Sequence, residues 1–121
     1  MTNWYAVTVG FVVMTVVGVV GIAVPGLGQL TAGLVGGFLA GYMAAGGVGS
    51  GAWHGLLAGS LGGVFVAGVL GVAVSILGVA GFGPFGPLLG GGVFLVVVFV
   101  ALVMGLESAL AGAIGGWIAE E

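Results

Sequence analysis

Apolar residues follow one another almost without interruption along four stretches of this chain, residues 4–24, 28–47, 52–81 and 88–117, and what separates them is glycine and proline rather than charge. The first stretch would rise about 31 Å as a helix, enough to cross a hydrocarbon core of about 30 Å. Trp4 and Tyr5 open it, where amphipathic rings favour a lipid–water boundary. The breakers are predicted at residues 25–28 (Pro-Gly-Leu-Gly), 44–51 (Ala-Ala-Gly-Gly-Val-Gly-Ser-Gly) and 82–87 (Phe-Gly-Pro-Phe-Gly-Pro), because proline removes a backbone donor and glycine accepts a left-handed turn. The third stretch would rise about 45 Å, more than a bilayer core needs, so it must tilt, break or extend past the lipid, with Gly62-Gly63 as its soft point. The β-branched run at residues 93–100 has strand character, but a lone strand in lipid leaves its backbone unpaired, and four crossings are too few for a closed barrel. The pattern predicts an all-α fold: a four-pass transmembrane helical bundle forming one membrane domain over residues 1–121.

Composition sharpens this reading. The 121 residues include no Lys or Arg, three carboxylates and one His, with 61% apolar and 2% charged residues, whereas a soluble domain carries about a quarter charged residues. Without a basic residue there is no footprint for nucleic acid or anionic head groups, and the positive-inside rule has nothing to count. The absence of cysteine excludes disulfides and thiolate metal sites. A cleaved leader would need a basic start and a small-x-small cleavage site, and residues 23–25 offer neither.

The most specific internal pattern is a repeat. Ala-Gly-x-x-Gly-Gly occurs at residues 32–37, 58–63 and 111–116. Around each copy small residues recur every four positions: Gly33, Gly37 and Gly41; Gly55, Gly59 and Gly63; Ser108, Gly112 and Gly116. Residues four apart share a helical face, so each series forms a smooth groove for another helix backbone. Close packing of this glycine-zipper kind is a principal force for helix association in lipid, either within the chain or between copies in a homo-oligomer.

Chemistry, if present, must sit on the few ionisable groups. Glu107 follows the most apolar stretch, and a carboxylate at mid-membrane costs about 2.5–3.5 kcal/mol, which makes it the candidate ion or proton site. If the last pass ends near residue 106, Glu107 is interfacial; if the helix runs on to Trp117, it is buried. His54, beside Trp53 at the start of the third stretch, shares a membrane face with the end of the fourth under a four-pass topology, so a His54–Glu107 pair is permitted. Ser50, Ser60 and Glu107 show no catalytic spacing relative to His54, and the glycine turns lack the Gly-Lys-Ser/Thr of a phosphate cradle. No catalytic residue, metal or cofactor is expected.

The segments Pro25-Gly26-Leu27-Gly28, residues 32–42 (AGLVGGFLAGY) and residues 51–59 (GAWHGLLAG) resemble a family of small, glycine-rich, multi-pass membrane proteins of unknown function from halophilic archaea. The resemblance covers about half the chain and implies an archaeal cell membrane without implying an activity. The sequence points to a non-enzymatic packing or assembly component of the cell membrane, with lipid, further copies or other membrane-protein subunits as partners. The alternatives are a proton- or cation-coupled proteolipid using Glu107, and a holin-like pore former. Proteolipid subunits of rotary ATPases share glycine faces and one membrane carboxylate, but they are commonly two-helix hairpins with that group near mid-membrane.

Overall fold

The computed structural model describes residues 2–24 and 27–120, and it is all-α. Four helices run in order: α1 (Trp4–Val20), α2 (Leu27–Ala44), α3 (Gly47–Phe82) and α4 (Gly86–Glu120). Short 3-10 turns follow α1 (Gly21–Ala23) and α3 (Gly83–Phe85). The Asn3 side chain caps α1 by accepting from Ala6 N–H at 3.2 Å. Ala45 and Gly47, both with positive φ, turn the chain tightly between α2 and α3.

Consecutive helices run antiparallel. α3 and α4 form a long hairpin; α2 lies along α4 and α3, and α1 lies along α2 and α3. No contact joins α1 to α4 among the described residues. The two hairpins differ in length. From Trp4 to Ala23 the chain rises about 30 Å, while from Trp53 to Phe82 α3 rises about 44 Å. Since Phe11 meets Phe65 edge to face, the start of α1 is level with the first half of α3, and the tip of the α3–α4 hairpin projects roughly 15 Å past the α1–α2 turn.

The interior is built from small residues. Its buried apolar side chains are Ala6, Val7, Ala32, Ala40, Ala58, Ala67, Ala101 and Ala111, and between them lie buried glycines of α3 and α4. The large apolar side chains point outward, up to the 73% exposure of Val20 and Leu77. This is the reverse of a water-soluble domain, whose Leu, Ile and Phe are its most often buried residues.

Two local expectations change. The exposed connection predicted at residues 44–51 narrows to Ala45–Gly46: α3 begins already at Gly47, because Gly51 seats its bare backbone on Gly112 and Gly116 of α4, and helix–helix contact replaces the side-chain burial that the run lacks. Gly62-Gly63 is no break either, for α3 passes through it unbroken with Gly63 against Ala101. The turn predicted at residues 82–87 narrows to Gly83–Phe85. The turn predicted at residues 25–28 ends earlier, since Leu27 already belongs to α2; residues 25–26 lie outside the described residues.

Candidate functional site

The three small-residue series converge. On α2, Gly33 faces Glu107, Gly37 faces Ser108 and Gly41 faces Gly112; on α3, Gly55 faces Ser108 and Gly112, Gly59 faces Ser108 and Gly105, and Gly63 faces Ala101. Gly112 is the junction: a Cβ built there would lie 2.9 Å from Gly55 Cα and 3.0 Å from Gly37 O, so backbone of α2 and of α3 both close on it. Gly116 packs one turn further along, against Gly47 and Gly51. Ser108, fully buried, ties the seam by donating its hydroxyl to Gly55 O at 2.8 Å. Gly36 and Gly115, inside the repeat but off its four-residue series, and Gly10, Gly51 and Gly105, outside it, also pack closely; for Gly51 the signal is its place four residues before Gly55.

His54 serves a different purpose. Only 2% exposed, it accepts from Asn3 N–H at Nε2 (2.7 Å) and donates from Nδ1 to Ser50 O (2.6 Å), which defines the neutral Nδ1–H tautomer. Beside it Trp53 Nε1–H donates to Thr2 Oγ1 at 3.1 Å. Together these bonds hold the start of α1 against α3. With both ring nitrogens so engaged, His54 and Glu107 are not brought together.

α4 does not end near residue 106. It continues to Glu120, with Ser108, Ala111, Gly112, Gly115 and Gly116 buried, so Glu107 stands within a packed helix. It is half-buried: its Oε1 lies over Gly33, shielded from solvent and without a hydrogen-bond partner among the described residues. In the gap that α1 and α4 leave open is a largely apolar cavity of about 420 Å³, lined by Met104 and Ser108 but not by Glu107. Gly33, Gly59, Gly62 and Gly63 form its floor, and its sides include Met14 and Val19 of α1 and Val97, Val100 and Met104 of α4. Among the described residues no group of three or more His, Cys, Asp or Glu converges as a metal site.

The antiparallel order also gathers the aromatic amphiphiles. Trp4 and Tyr5 start α1, Tyr42 lies in the last turn of α2, Trp53 near the start of α3 and Trp117 near the end of α4, so all three Trp and both Tyr lie, exposed, around one end of the bundle. The far tip of the long hairpin carries Phe82 and Phe85 instead.

These features define an all-α protein of long apolar helices with a small-residue interior; its segments Trp4–Ala23 and Gly47–Glu120 are long and apolar enough to cross a membrane, the second able to hold two spans. The chain belongs to the DUF5518 family, a family of unknown function whose profile matches residues 4–118. No curated protein and no solved structure matches it significantly.

Proposed function

We propose that the chain is a four-pass integral membrane protein with a structural, non-catalytic role, packing through glycine-zipper faces and assembling with further copies or other membrane subunits. One observation carries this reading: alanine and glycine fill the interior while Val, Leu, Ile and Phe cover the outside, an arrangement suited to lipid. The ring of Trp and Tyr at one end matches an interfacial belt. The hydroxyls of Thr8, Thr15, Thr31 and Ser75 each donate to the carbonyl four residues earlier, at 2.7–2.8 Å, which satisfies a polar group where water is absent. The resemblance to haloarchaeal membrane proteins supports a cell-membrane location.

Two features support assembly. The long hairpin exceeds a core of about 30 Å, and glycines on it, among them Gly68, Gly81 and Gly91, have nothing within 4 Å. Packing between copies would cover that surplus apolar surface. The test exploits the cysteine-free sequence. Single cysteines replacing Thr2, Ser50 and Gly83 are introduced, and intact cells are treated with an impermeant maleimide. The expected result is that the first two behave alike and Gly83→Cys behaves oppositely; a soluble particle, or three sites on one side, overturns the reading. Intact-particle mass after mild extraction then separates a monomer from an assembly.

A second reading has one specific observation behind it, the unpartnered Oε1 of Glu107: a proton- or cation-coupled proteolipid. Reaction of Glu107 with a hydrophobic carbodiimide that arrests ion flux in vesicles favours transport. Flux that is absent, or insensitive to the reagent, favours the structural role.

A further inference from the structure

We infer that His54 is an acid-operated latch: in its neutral form it clamps the amino-terminal turn of α1 onto α3, and a proton on its Nε2 releases that turn. The latch follows from what each ring nitrogen does. Nδ1–H donates to Ser50 O at 2.6 Å, which leaves the lone pair of Nε2 to accept Asn3 N–H at 2.7 Å. A further proton can bind only at Nε2, where it meets the Asn3 N–H donor against donor. A backbone N–H cannot become an acceptor, so Asn3 must move away.

Asn3 is also the cap of α1. Its Oδ1 accepts from Ala6 N–H at 3.2 Å, so displacing Asn3 removes the cap together with the clamp. An imidazolium beside Asn3 would, in addition, stand at the positive end of the α1 dipole. The ring is buried, so its charge would have no water in the latched form. Its surroundings supply no counter-charge either. At the ring stand Asn3 of α1 and Ser50 of α3, whose Oγ is 3.3 Å from Nδ1. On either side α4 sets Ser108, Gly112 and Gly116 against Gly51 and Gly55, and α2 sets Gly37 and Gly41 on the same stretch of α4. The other ionisable side chains among the described residues lie elsewhere: Glu107 over Gly33, Glu120 over Gly47 two turns before His54, and Tyr5 and Tyr42 exposed. Met1 and Glu121 lie outside the described residues. Latched chains keep the ring neutral and released chains take up one proton, so the latch weakens as pH falls. Below the ring's titration the latched-to-released ratio drops about tenfold per pH unit.

The experiment uses the full chain in a non-ionic detergent, so it does not depend on the protein crossing a bilayer. Nitroxide pairs are placed on introduced cysteines, since the sequence has none. Tyr5→Cys with Leu110→Cys joins α1 to α4, and Val48→Cys with Leu110→Cys joins α3 to α4, all at exposed positions. Distances are read by electron paramagnetic resonance from about pH 8 to about pH 5, the range in which an imidazole ordinarily changes charge, with nitrogen-15 NMR of the His54 ring alongside. The expected result is a narrow distance for the first pair at the alkaline end, which broadens in step with ring protonation while the second pair stays fixed. His54→Gln, whose amide oxygen can accept from Asn3 but takes no proton, should keep the first pair narrow throughout. The wild-type comparison of ring charge with distance decides the matter if His54→Gln does not fold. A ring that stays neutral throughout, a ring that charges without moving the first pair, equal broadening of both pairs, or broadening that persists in His54→Gln overturns the latch.

Discussion

Gly112 is the position where the fewest atoms matter most. Because backbone of α2 and α3 reaches it from two sides, a valine there must push helices apart, and Gly112→Val is expected to cost about 1–3 kcal/mol or to prevent folding. Gly91, with nothing within 4 Å, is the control: Gly91→Ala should be neutral or stabilising by up to about 1 kcal/mol, because alanine costs less backbone entropy in a helix. Denaturant titration in micelles, followed by circular dichroism, measures both. Ser108→Ala removes the bond to Gly55 O without enlarging the side chain, and a loss of about 0.5–1.5 kcal/mol is expected in the same assay. At this scale the repeat was legible: a four-residue spacing of small residues needs only helical geometry to be read as a face. That α2 and α3 both meet α4 at Gly112 was not legible, since spacing along one helix says nothing about its partner.

Among the elements, α1 is the most weakly held. Among the described residues it has no contact with α4, and its start depends on the Asn3 cap and on the bonds from Asn3 N–H to His54 and from Trp53 to Thr2. His54→Ala frees the Asn3 N–H in a part-buried site, a loss of about 1–3 kcal/mol. The loss should be local. Hydrogen exchange is expected to accelerate in the first turn of α1, while amides of α4 around Gly112 keep their protection; equal acceleration throughout would show that His54 supports the whole bundle instead. The sequence placed His54 at a boundary through its neighbour Trp53, but its partner Asn3 lies 51 residues away and is brought near only when α1 and α3 run side by side. The extent of α3 was misread for a related reason. Residues 47–51 have little side chain to bury, yet they are helical because α4 offers them bare backbone.

For the whole molecule, the two ends differ in chemistry. With Trp4, Trp53 and Trp117 all at one end, tryptophan fluorescence in reconstituted vesicles should be quenched more by a spin label near the lipid head groups than by one deep in the acyl chains. Stronger quenching by the deep label would overturn the proposed placement. The unequal hairpins add a second expectation. An α3–α4 pair of about 44 Å in a core of about 30 Å must tilt or find company, so thicker bilayers should shift the intact particle toward smaller assemblies, as read by cross-linking across lipids of increasing chain length.

The absence of basic residues and the nearly unbroken apolar stretches were enough to determine an all-α chain with turns close to Gly46 and Pro84, since helical hydrogen bonding and glycine–proline chemistry are local and act within a few residues. The tertiary arrangement decided the rest. Whether Glu107 was interfacial or enclosed turned on where α4 stopped and on Gly33 lying opposite it. The gathering of five aromatic residues at one end required the antiparallel order, and the cavity required two helices that fail to meet. Each depends on contacts between residues far apart in sequence, where side-chain volume and helix spacing, not local propensity, determine what fits.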